Sequence, residues 1–148
     1  MENQHQIKLN EQAVEALRSS AKWSLFLAII GFIGIALMLI AALIMTSIAS
    51  AIPETASPFA GSMKGFISLF YVAMAVLYFP PTFYLYKYSN EMKTSLLSND
   101  SDMVSTALVH LKSHHKAMGI SIIIFISLYI LLIFGIVAFF MTKGAAAV

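Results

Sequence analysis

AMGISIIIFISLYILLIFGIVAFFMT, residues 117–142, is a run of 26 residues without Asp, Glu, Lys, Arg or His, bounded by Lys116 and Lys143. About 20 apolar residues in a helix suffice to cross a hydrocarbon core of roughly 30 Å. Inside lipid every backbone N–H and C=O needs an internal partner, and a helix supplies nearly all of them. The run therefore predicts a membrane span. Two more uncharged runs precede it. Trp23 to Pro53 covers 31 residues, with an apolar heart from Ser24 to Ala49, and Gly65 to Tyr86 covers 22. Pro80 and Pro81 interrupt the second. Proline removes an amide donor and clashes with the preceding turn, which predicts a kink or a helix end near Phe79.

Outward from these runs, the whole chain has the arithmetic of an integral membrane protein. Of its 148 residues 59% are apolar and 11% charged, and mean hydropathy is +0.84, against roughly a quarter charged in soluble domains. All sixteen Lys, Arg, Asp and Glu residues lie outside the three runs. What remains is too short for an extramembrane catalytic domain. The absence of cysteine removes disulfides, thiolate nucleophiles and thiolate metal sites together. A formal charge of +2 is too mild to suggest nucleic acid as a partner.

The expected fold is all-α: three transmembrane helices, an amphipathic N-terminal helix and a cytoplasmic helical loop in a single membrane domain. Its segments are the N-terminal helix (1–22), span 1 (23–50), an outer loop (51–64), span 2 (65–86), the helical loop (87–116), span 3 (117–142) and an outer tail (143–148). Ala49, Ser50 and Ala51 form a small-residue site, but the apolar run is too long and starts too late for a signal peptide, so a retained anchor is expected. Lys8, Arg18, Lys22, Lys87, Lys93, Lys112 and Lys116 collect on one side of such a topology, and Lys64 and Lys143 on the other. The positive-inside rule then puts the amino terminus in the cytoplasm and the carboxyl terminus outside. Trp23, Tyr84, Tyr86 and Tyr88 fall near the cytoplasmic ends of spans, where interfacial aromatics concentrate.

Outside the spans, Asn10 reads as a helix cap, with Leu9 and Val14 at staple positions and Glu11 placed for the dipole. Ala13, Val14, Leu17 and Ala21 share one side of the helix that follows, while Glu15 and Arg18 pair on another. This segment either docks a partner at the interface or extends span 1. In the second loop, Ser98 to Asp102 is a polar break, with Asp100 and Asp102 as capping and dipole residues of a new helix. Met103, Val104, Ala107, Leu108 and Leu111 then form a broad apolar face.

His110, Lys112, His114, His115 and Lys116, with Lys87 and Lys93, are candidates for interaction with partners or anionic lipid head groups. His110 and His114 share a face at i,i+4, a spacing that also suits a metal, yet no carboxylate lies within the same two turns and no metal site is expected. Imidazoles also titrate near neutrality, so proton sensing stays open. Ala28, Gly31, Gly34, Gly135 and Ala138 offer small surfaces for close helix approach. No nucleophile–base pair, phosphate loop or pair of catalytic carboxylates can be assembled, and no ionisable residue lies in a span to couple transport. Neither catalysis nor a cofactor is expected.

Tyr84-Leu85-Tyr86-Lys87-Tyr88-Ser89-Asn90-Glu91-Met92-Lys93, following Pro80-Pro81, and Leu111-Lys112-Ser113-His114-His115-Lys116-Ala117-Met118-Gly119-Ile120 carry a resemblance. With the spacing of the spans, they resemble a family of small bacterial inner-membrane proteins classed as a domain of unknown function. The resemblance covers most of the chain after about Arg18 and implies an inner-membrane location, with no activity, cofactor or catalytic residue to carry over. The expected function is that of a non-catalytic interaction protein: a small subunit, assembly factor or scaffold of a membrane complex. Its partners would be membrane lipids and another membrane protein or further copies of itself. The alternative is a homo-oligomeric channel or carrier for a neutral or lipidic substrate.

Overall fold

The computed structural model describes the backbone of residues 10–51 and 58–145, with side chains over 10–48, 66–138 and at 141. Three helices make up this part of the chain: α1 (Glu11–Ala51), α2 (Pro58–Ser98) and α3 (Ser101–Ala145). All three are long and apolar enough to cross a membrane. The protein is an all-helical membrane protein with three candidate spans. Residues 1–9, 52–57 and 146–148, which include Leu9, Lys8 and half of the expected outer tail, lie outside the described residues.

Each helix outruns the bilayer. The 41 residues of α1 at 1.5 Å per residue extend about 62 Å, twice the hydrocarbon thickness. The stretches 11–22 and 87–116 are therefore the projecting ends of the spans themselves, as the reading of 11–22 as an extension of span 1 has it. Residues 11–22 are the first turns of α1, not an independent helix. α2 begins at Pro58, inside the stretch 51–64 expected as loop, because proline at a first helical position lacks only an amide that would be unpaired anyway. α2 also runs unbroken through Pro80 and Pro81, so no helix end occurs at Phe79.

The stretch 87–116 consists of the end of α2 and the start of α3 joined by Asn99 and Asp100. Asn99 adopts φ 51°, the left-handed conformation that asparagine tolerates at a helix C-terminus. The Asp100 amide donates back to the Ser95 carbonyl at 3.2 Å. Its side chain then caps α3, accepting from the amides of Asp102 and Met103 at 2.9 and 3.2 Å. So short a connection makes α2 and α3 antiparallel. Asn10 caps α1 as its position predicts, accepting from the Ala13 amide at 2.8 Å.

α2 is the central element, packed against α1 on one side and α3 on the other. Among the described residues, the backbones of α1 and α3 do not approach each other closely. The buried core joins Ala21, Tyr88, Met92 and Ala107, with Leu17, Leu85, Leu96, Val104 and Leu111 around it. None of its four central residues lies in an uncharged run. Core formation at the polar end has a physical cause: water drives apolar burial there, whereas lipid tails solvate leucine as well as another helix does.

Within the spans, small residues take over. Leu17, Ala21, Ser24, Ala28, Gly31, Ile35, Met38 and Ala42 follow one another at alternating steps of four and three, the 3.5-residue repeat that keeps one seam facing a partner helix. Ala21, Ser24, Ala28, Ile35 and Ala42 are buried. At Gly31 the approach to α2 is so close that a Cβ would meet the Thr82 side chain at 2.8 Å. Gly31→Ala should therefore cost about 1–2 kcal/mol through overpacking. Thr82→Ala should relieve most of that cost, a coupling readable from thermal unfolding of the two single variants and the double variant in mild detergent.

Candidate interaction surface

Side-chain hydrogen bonds stitch the seams from the polar end towards the opposite face. Between α1 and α2, the Ser89 hydroxyl donates to the Ala21 carbonyl at 2.6 Å, and the Ser20 and Tyr88 hydroxyls lie 3.2 Å apart. Near the far ends of the spans the Thr46 and Ser68 hydroxyls meet at 2.8 Å. α1 and α2 are thus held together along nearly their full described length.

The α2–α3 seam is built differently. Glu91 Oε1 and His110 Nε2 lie 3.2 Å apart with both side chains partly buried, and the His110 ring stacks on Tyr84 with centroids 6.2 Å apart. Glu91 Oε2 and His110 Nδ1 are buried without a hydrogen-bond partner. One turn further, His114 Nδ1 lies 2.7 Å from the Pro81 carbonyl. A carbonyl only accepts, so Nδ1 carries the proton there. Next, the Ser121 hydroxyl donates to the Leu77 carbonyl at 2.9 Å. Leu77 is four residues before Pro81, and its carbonyl is the one whose helical donor Pro81 lacks. Ser121 thus replaces, from α3, the bond that proline removes from α2.

This pairing makes a testable couple. Ser121→Ala should cost about 0.6–1.7 kcal/mol, the range for interhelical bonds in membranes. In a Pro81→Ala background, where the chain regains its own donor, the same substitution should be nearly silent in thermal unfolding.

The candidate cations and histidines do not form one cluster. His110 and His114 face α2 and are engaged there, while His115 donates to its own Leu111 carbonyl at 2.8 Å. The Lys87 ammonium sits 5.2 Å from the centroid of the Phe83 ring, a cation–π contact. Lys112 and Lys116 are exposed on α3, and Lys93 faces α1 across a cleft it shares with Arg18 and Lys22. Among the described residues, no three His, Asp or Glu side chains gather as a metal would require. Glu91 and Tyr84 enter this seam as partners of His110, which sequence reasoning did not foresee, whereas Thr82 and Ser121 are intramembrane hydroxyls of the kind that bond to their own backbone or a neighbouring helix. The heptad steps Ala107, His114 and Ser121 were the available signal.

Every residue from Ile122 to Ala138 is exposed. Of the helix-packing candidates, Ala28 and Gly31 are used inside the chain, while positions Gly34 and Gly135 have no atom within 4 Å of a notional Cβ. Between the outer halves of α2 and α3 runs an apolar groove of about 460 Å³, lined by Phe66, Leu69, Phe70, Phe125, Leu132 and Tyr129 among others. Tyr129 stands at the midpoint of the run 117–142 and is 58% exposed. No protein-family model, curated protein or solved structure matches the chain.

Proposed function

We propose that the chain is a non-catalytic interaction protein of the bacterial inner membrane: a small subunit, assembly factor or scaffold whose outer α2–α3 groove receives a helix of a neighbouring membrane protein or of another copy. The amino terminus lies in the cytoplasm and the carboxyl terminus outside, on the strength of the seven basic residues gathered on one side. The observation that carries the reading is Tyr129, a hydroxyl at mid-bilayer depth in a groove without intrachain cover. Lipid tails offer such a hydroxyl no partner, and a neighbouring helix does. The small residues Gly34 and Gly135, the second of them exposed, add surfaces on which a helix backbone can come close.

Purification of the tagged chain from its native membranes in mild detergent tests this. The expected product is a defined assembly, either several copies or a complex with one partner in fixed stoichiometry, larger than the 16.2 kDa chain. A lone chain in every mild detergent tried, with no crosslinks before extraction, would refute the reading. The orientation is tested separately by a topology reporter fused after Val148, which should be active outside the membrane.

A further inference from the structure

Where α1 and α2 leave the membrane, a cleft of about 310 Å³ opens between them. Arg18 and Lys22 stand on its α1 side and Lys93 on its α2 side, with Leu25, Leu96 and Leu97 also lining it. We infer that this cleft binds the phosphate-bearing head group of an anionic phospholipid, with the cations on the phosphate and the acyl chains running down past Leu25. Three observations carry the assignment.

The first is charge. Three cations from two helices converge and no acid lines the cleft, although Glu11 and Glu15 occupy the adjoining face of α1 beside Arg18 and Lys22. Ser89 also borders the cleft, but its hydroxyl is spent on the Ala21 carbonyl. Like charges brought together without acids favour an anion.

The second is depth. Lys22 directly precedes the uncharged run that opens at Trp23. At the helical rise Lys22 and Arg18 stand about 1.5 and 7.5 Å outward of Trp23 along α1, which spans a head-group layer of roughly 5–7 Å. The third is the apolar lining. Leu25 lies within the span one turn from Lys22, so apolar surface meets the α1 cations from the lipid side, while Leu96 and Leu97 lie beyond Lys93. A soluble phosphate would have no use for Leu25, whereas a lipid covers both it and the cations. Lysine and arginine at such a level reach the phosphate plane with their heads while their stems rest on apolar surface.

Trp23 is the single tryptophan of the chain and neighbours Lys22, so it reports on lipids at this end. The full chain is reconstituted into phosphatidylcholine vesicles, and quenching of Trp23 by brominated phosphatidylglycerol is compared with quenching by brominated phosphatidylcholine. The expected preference for the anionic lipid is about fivefold or more. It should fall to near parity in Arg18→Gln/Lys22→Gln/Lys93→Gln, fall partway in Lys93→Gln alone, and persist in Lys112→Gln/Lys116→Gln. All five positions are exposed, and far-UV helicity confirms the fold of each variant. Equal quenching by both lipids in the unaltered chain, a preference that survives the triple substitution, or one lost equally with the α3 lysines would overturn the assignment. Release of the lipid preference by excess inorganic phosphate would overturn it too, in favour of a soluble phosphate ligand.

Discussion

Met92→Ala should lower stability by about 2–5 kcal/mol, the cost of emptying a fully buried side chain that its neighbours cannot refill. Met92 has no exposed surface, and it sits with Tyr88 between Ala21 of α1 and Ala107 of α3, so one side chain serves both seams. The contrast with the membrane part of the chain makes the prediction specific. Leu131, 66% exposed on α3, is a larger apolar residue by position in a span, yet Leu131→Ala should change stability by no more than about 0.5 kcal/mol. Thermal unfolding of both variants in mild detergent separates a core at the polar end from one distributed along the spans. Equal losses at the two positions would mean that the spans contribute as much packing as the projecting ends.

Ala107→Phe should be as damaging by the opposite route. Ala107 is fully buried against α2, and a ring there has to displace Met92, Tyr88 or the α3 backbone. Overpacking commonly costs about 1–3 kcal/mol, occasionally more. The larger value is expected because α3 has little else to hold it. Beyond Val104, Ala107 and Leu111, its ties to α2 include the Glu91–His110 pair, the His110–Tyr84 stack and the bonds of His114 and Ser121. The matching control is Ala36→Phe, an exposed alanine inside the span of α1, where a ring meets only lipid and the change should stay within about 0.5 kcal/mol.

The three spans were legible because charge is forbidden at bilayer depth, and the positions of Lys22, Lys64, Lys87, Lys116 and Lys143 bracket them. The caps at Asn10 and Asp100 were legible for a local reason, since a capping side chain bonds to amides two or three residues away. How far the helices continue was legible in part: 11–22 as an extension of span 1 was one of two readings, and a new helix was expected after the break at Ser98 to Asp102. The eye stops a span at its first charge, but a helix continues through Lys87 or Lys116 whenever its next turns find a partner, and here Tyr88, Met92, Ala107 and Leu111 provide one another with cover.

The histidines illustrate the same limit. His110 and His114 were read as one cationic face because they are four apart. What decides their role is Glu91 and the Pro81 carbonyl on another helix, 19 and 33 residues away. Pro80 and Pro81 invited a helix end, and local reasoning could not know that Ser121 would replace the lost donor of Leu77. The heptad steps from Leu17 to Ala42 were present in the sequence throughout, and reading them as a seam would have assigned Ala28 and Gly31 to α2 while leaving Gly34 outside it.

A small bundle closed at its polar end and open along its membrane face is suited to receiving another helix, and the groove beside Tyr129 is where that helix belongs in this account. The chain has no cysteine, so single cysteines can be introduced one at a time over residues 122–134 without removing any. A thiol-directed photocrosslinker attached at each position in native membranes then maps what lies against α3. Discrete heavier species should form from positions 125, 129 and 132, which line the groove, and be weak or missing from 127, 130 and 134 on the opposite side. Crosslinks to lipid alone at every position, or protein adducts of equal yield around the whole helix, would contradict a helix bound in that groove.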